Sequence, residues 1–106
     1  MTYVGHIVKH TLIGKRNTTH YFLLLRYSDD LRAYLALLIS SLPSEYHLEL
    51  EVEDIGILTH KSYIQMENMH TIKHSNIKTS HIVTKISSEL YSKIYNFWKL
   101  YIKTLE

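Results

Sequence analysis

Residues 28–43 read SDDLRAYLALLISSLP, and the reading given to this stretch decides the layering of the whole fold. Both of its ends carry helix signals. Ser28 can cap a first turn by accepting a backbone N–H, Asp29 and Asp30 sit where a helix dipole favours negative charge, and Pro43 forbids continuation. At 3.6 residues per turn, Leu31, Tyr34, Leu35, Leu38 and Leu42 share one face. The stretch therefore predicts a helix over 28–42 with that face turned to a core.

The flanking sequence reads as strands. Tyr3 to Ile13 is rich in Val, Ile, Thr and Tyr, and a second such run, THYFLLLRY (19–27), follows the loop GKRN (14–17). Gly14 and Asn17 tolerate left-handed backbone, so the two runs form a β-hairpin. The unbroken YFLLL fits a central strand covered on both faces. On the other side, EYHLELEVE (45–53) alternates, with Tyr46, Leu48, Leu50 and Val52 on one face and Glu45, His47, Glu49, Glu51 and Glu53 on the other, as a half-exposed strand does. IGILTH (55–60) prolongs it or follows a bend at Asp54-Ile55-Gly56, and SYIQMENMHTIKH (62–74) is a weaker strand or hairpin arm.

The last segment predicts a long helix from about Ser80 to Leu105, capped by Thr79 or Ser80. Its apolar side chains spread over about half the circumference. At about 26 residues it would be roughly 39 Å long, more than the roughly 34 Å width of a domain of this size. Tyr91, Tyr95, Trp98 and Ile102 form one edge of the apolar arc. If a sheet covers the other edge, centred on Leu90, Ile94, Phe97 and Tyr101, these four need a second partner, and Trp and Tyr are enriched in interface cores. A homodimer through Tyr91, Tyr95, Trp98 and Ile102 is the expectation.

The order β-β-α-β-(β)-α gives an α+β class: one domain over residues 1–106, an antiparallel sheet with its helices packed on one face and a long C-terminal helix. At 106 residues, 45% hydrophobic and 21% charged, the chain can bury a core without staples. It has no cysteine, hence no disulfide or thiolate chemistry. No apolar run approaches the roughly 20 residues of a membrane span, and MTYVGHIVKH lacks the pattern of a secretory leader. A cytoplasmic address without membrane contact is the default. The net charge of +2 divides unevenly: residues 1–60 carry five Lys/Arg against seven Asp/Glu (−2), and residues 61–106 carry seven Lys against three Glu (+4).

MHTIKHSNIKTSH (69–81) places His70, His74 and His81 within one short stretch. A three-histidine zinc site is the sharp reading. However, HTIKHSNIK has no helical apolar face, lacks the glutamate of H-E-x-x-H, and as a strand would separate His70 from His74 by roughly 13 Å. The expectation is no metal and no cofactor, with these histidines on a polar strand and turn. No G-x-S-x-G, P-loop or G-x-G-x-x-G motif is present. Catalytic residues are therefore not assigned.

Lys9, His10, Lys15, Arg16 and His20 gather at the tip and flanks of the N-terminal hairpin, where a basic surface could lie along a phosphate backbone. These five are the candidate nucleic-acid contacts. In size, absence of catalytic motifs and aromatic helix, the chain resembles small accessory proteins of viruses and mobile elements, including inhibitors of host defence. That resemblance implies a non-catalytic binding or regulatory module engaging nucleic acid or a protein partner. The alternative is a small nuclease or metal-dependent hydrolase using histidines.

Overall fold

The computed structural model describes residues 2–12, 18–51 and 61–106. It is a compact α+β domain: β1 (His6–Leu12), β2 (Thr18–Ser28), β3 (Ala33–Ser40), β4 (His47–Leu50), β5 (Ser62–Lys73), two 3-10 turns (His74–Asn76 and Thr79–His81), β6 (Ile82–Lys85) and α1 (Ser88–Thr104). The six strands form one antiparallel sheet in the order β4-β5-β3-β2-β1-β6. Among the described residues no helix is long and apolar enough to cross a membrane.

The expected helix over 28–42 is instead a turn followed by a strand, and the reason lies in how the two halves of that stretch are composed. Ser28 does accept the Leu31 N–H, at 3.3 Å, so the capping signal is used. It serves a single turn, because Arg32 adopts a left-handed conformation (φ 48°) that reverses the chain into β3. From Ala33 onward AYLALLI is apolar at nearly every position, with no polar face for a helix to show to water. Paired with β2 on one edge and β5 on the other, β3 presents Leu37 and Ile39 to one face of the sheet and Tyr34 and Ala36 to the opposite face. Leu31 and Leu42, expected on the core face of a helix, are each 68% exposed.

The other expectations fare differently. β1 and β2 pair as predicted, from Ile7↔Leu23 to Leu12↔Thr18. Phe22 to Leu25 are fully buried between β1 and β3, as a central strand requires. The loop between β1 and β2, with Lys15 and Arg16, lies outside the described residues, as do 52–60. In β4, Leu48 and Leu50 face inward and Glu49 outward, where it meets Lys61 at 3.4 Å. The C-terminal helix is shorter than predicted, at 17 residues. Ile82, Val83 and Thr84 are β-branched and extend as β6, with Thr84 opposite Ile7 and Lys85 opposite His6. The cap is therefore Ser87, whose hydroxyl accepts the Leu90 N–H at 3.1 Å. At 17 residues the helix is about 26 Å long, shorter than each of the molecule's extents of 36 × 32 × 28 Å.

Two apolar layers result. Ile94, Trp98 and Tyr101 of α1 pack onto Ile7, Leu23, Leu25, Leu37, Ile64 and Met66. On the opposite face Val8, Phe22, Leu24, Tyr34, Ala36 and Ile72 are covered by Tyr3 and Val4 of the N-terminal segment, Ile77 between β5 and β6, and Ile82 at the start of β6. Gly5 ties the edge together: its N–H donates to Leu24 and its carbonyl accepts from Ile86, in a backbone conformation (φ 86°) that side-chain-bearing residues rarely adopt.

Strand and helix readings of residues 31–38 rank the same substitutions in opposite order. Leu37→Ala should cost about 2–5 kcal/mol by opening a cavity in the core, and Leu31→Ser should change stability by less than about 0.5 kcal/mol. Denaturant unfolding of the two variants measures both, and a helix with Leu31 inward would give a large loss for Leu31.

Candidate functional site

Among the described residues β6 pairs with His6, Ile7 and Val8 alone, and none forms a strand partner for β1 on that side from Lys9 to Leu12. Facing this open edge, the chain returns from β5 to β6 through the two 3-10 turns. The space between them is a cleft of about 450 Å³, lined by Lys9, His10, Thr11 and Thr19 from the sheet and by Ser75, Asn76, Lys78 and His81 from the turns. Every lining side chain is polar, two are ammonium groups, and no carboxylate is among them. The hydroxyls of Thr11 and Thr19 are hydrogen-bonded to each other at 2.8 Å. His81 is held by its own turn: Nδ1 accepts the Lys78 N–H at 3.3 Å, which leaves Nε2 of the neutral ring to carry the proton.

Behind the cleft the sheet carries a layer of imidazoles. His10 and His20 are cross-strand partners on β1 and β2, two positions along from the Val8↔Phe22 pair and so on the same face. Both stand edge-on to the buried Phe22 ring, at 6.0 and 6.4 Å between centroids. His70 reaches the same ring from β5, at 5.1 Å, over Ala36 of the intervening strand, whose methyl side chain leaves room for it. Three histidines remote in sequence thus share one aromatic neighbour. Burial holds the pKa of His10 below the ordinary imidazole value, with His81 and then His70 adding like-charge repulsion. His70 is lowered in the same way, by burial first and His20 second.

The three histidines of residues 69–81 go to three different places. His70 lies against Phe22 and His81 lines the cleft, while His74 is part of the packing. Its Nδ1 is 2.7 Å from the Tyr34 hydroxyl, which also accepts the Tyr3 N–H at 2.9 Å, and its ring stacks on Tyr3 at 5.4 Å. Among the described residues no group of three or more His, Asp or Glu side chains could hold a metal ion. Of the predicted nucleic-acid contacts, Lys9 and His10 line the cleft and His20 stands beside His10, and Lys15 and Arg16 are outside the described residues. Thr11, Thr19, Ser75, Asn76 and Lys78 were not singled out by the sequence reading. The one available signal for the last three is that HSNIKTS is a polar turn next to a strand, which places its side chains at a surface without saying what they face.

The aromatic edge assigned to a dimer lies partly in the core. Trp98 is 7% exposed, donates from Nε1 to the Met69 sulfur at 3.4 Å, and has the Arg26 guanidinium 5.8 Å from its ring centre. Tyr91 donates its hydroxyl to the Leu25 carbonyl at 2.6 Å, and Tyr95 and Ile102 are half-buried beside them. The covering partner of Trp98 is the chain's own sheet. No protein-family model matches the sequence, and no curated protein matches it either.

Because His10 and His70 are held below the ordinary value of 6.5, their contribution to stability is complete above about pH 6.5. Below it the unfolded chain takes up protons that the folded chain refuses, and stability falls until the folded pKa values are passed. Melting temperature should therefore drop between about pH 7 and about pH 5, and His10→Gln with His70→Gln should flatten that drop. An unchanged slope in the double variant would mean that these two imidazoles charge freely in the folded state.

Proposed function

We propose that the protein is a small binding module that holds the phosphate backbone of a nucleic acid in the cleft along the open edge of β1. The observation that carries this reading is the composition of the cleft: two lysines, two histidines, three hydroxyls and an amide, with no carboxylate to compete for the cations. These are the donor types that contact phosphate and sugar oxygens, and contacts of that kind position a strand without reading its sequence. No phenyl, phenol or indole ring lines the cleft, so it offers backbone recognition in place of base stacking. The edge of β1 from Lys9 to Leu12 adds peptide groups with no strand partner on that side among the described residues. The excess of lysine in residues 61–106 gives the field the right sign for attracting a polyanion.

Lys9 and Lys78 are exposed and stand on opposite walls of the cleft, so their reversal should leave the fold intact. Lys9→Glu with Lys78→Glu should weaken binding of single-stranded or duplex oligonucleotides and reduce the slope of log affinity against log salt by about 1.4–1.8, the loss of two phosphate contacts. Fluorescence anisotropy at several salt concentrations measures the slope. The same slope in both proteins would remove the cleft from the binding surface.

A second reading follows from the placement of His10 and His81 on one cleft. An imidazole kept neutral by burial can take a proton, the general-base role in metal-free cleavage of RNA by its own 2′-hydroxyl, and His81 stands on the same cleft beside it. The binding reading expects labelled RNA to remain intact in the presence of a chelator. Shortened RNA with cyclic phosphate ends, absent with His10→Ala, would make the cleft catalytic.

A further inference from the structure

A second cleft lies beside α1, and none of its lining residues belongs to the first. Its volume is about 540 Å³, within the range that accommodates a ligand-sized group. Tyr95, Trp98, Leu100 and Ile102 supply its apolar surface, and Leu100 is exposed beside the half-buried Tyr95 and Ile102. Asn96 and the cations Arg26, Lys99 and Lys103 complete the lining. Among the described residues none of these three cations has a carboxylate within ion-pair distance; the ion pairs found there belong to Lys61. The trough is therefore apolar inside and cationic around it, with no ion-paired carboxylate among the described residues.

Its geometry discriminates between occupants. A second copy of the chain related by a two-fold axis would bring the same patch against itself, setting Arg26, Lys99 and Lys103 against their own copies with no anion between them. A single-stranded nucleic acid would need free ring faces on which to stack bases. Here the Arg26 guanidinium lies over Trp98 at 5.8 Å and the Lys99 ammonium over Tyr95 at 5.5 Å, so both aromatic platforms already have a cation on them. What remains unsatisfied is positive charge beside aliphatic surface. We propose that this trough docks an acidic segment of a partner protein, its apolar side chains packing on Leu100 and Ile102 and its carboxylates meeting Arg26, Lys99 and Lys103.

Trp98 is the only tryptophan, so its emission reports the trough directly. The probe is a synthetic peptide in which Asp and Glu are interspersed with Leu and Phe, titrated into the full chain. The expected result is a saturable change in emission that weakens with salt, and an affinity reduced about tenfold or more by Lys99→Glu with Lys103→Glu. Both lysines are exposed, and circular dichroism of the double variant checks that the fold is kept. No saturable change, or equal affinity for the same peptide with lysine in place of its acids, overturns the proposal. So does quenching by a single-stranded oligonucleotide that the double variant abolishes, which would make the trough a nucleic-acid groove. Sedimentation that finds a wild-type dimer dissolved by Leu100→Asp would likewise give the trough to a second copy.

Discussion

The two-sided pairing of β3 is the constraint on which the other elements depend. Eight residues, Ala33–Ser40, pair with β2 along one edge and with β5 along the other, and both faces of the resulting ribbon are buried. A strand in that position satisfies its backbone groups on both sides and removes nearly every side chain from water, so composition rather than periodicity is what it demands. From it follow the two apolar layers. Leu37 and Ile39 need a cover on one face and receive α1, and Tyr34 and Ala36 need one on the other and receive the segments around Tyr3 and Ile77. With a single helix available, the second face is closed by irregular chain, and irregular chain must satisfy its polar groups locally. Hence the second cover, and only it, carries the histidine-rich turns.

That closure is pinned by a small polar network. The Tyr34 hydroxyl, at the end of a side chain with no exposed surface, receives the Tyr3 N–H and meets Nδ1 of His74, and the three rings of Tyr3, His74 and Tyr27 gather around it. A buried hydroxyl without partners is costly, so the N-terminal segment and the first 3-10 turn are held to the sheet by the same atom. The position of that turn sets the wall of the basic cleft. His74, which sequence spacing groups with His70 and His81 as a ligand set, thus acts on the cleft only by fixing where Ser75 and Asn76 stand.

The parts of the fold legible in the sequence are those where one local rule acts alone. The alternation of His47 to Leu50, the run of Phe22 to Leu25 and the hairpin of β1 and β2 all follow from a period of two or from continuous apolarity. The failure at residues 28–42 has a definite cause: leucine and alanine favour helices locally, Ser28 caps whatever turn follows it, and the conformation of Arg32 that ends this turn leaves no mark in residue type. Tertiary pairing then overrides propensity. The site is legible in part for a related reason. Lys9 and His10 stand out as charges on a strand, but the far wall of their cleft, Ser75 to His81, comes from a segment remote in sequence. No spacing rule connects the two.

Charge is distributed so that the two clefts make different demands on a ligand. Along β1 the lysines are accompanied by hydroxyls, an amide and imidazoles, groups that prefer to meet anionic oxygen directly. Beside α1 the cations are accompanied by Leu100 and Ile102 and rest on aromatic faces, which lowers the cost of keeping a guanidinium and an ammonium without a counter-ion. A polyanion with no apolar surface satisfies the first arrangement fully and the second only in part, because it leaves the aliphatic area in contact with water. An acidic peptide has the reverse fit, since its apolar side chains have nothing to bury against in the β1 cleft. On the proposed readings, what separates a phosphate backbone from an acidic peptide is the neutral surface around the cations rather than the charge itself.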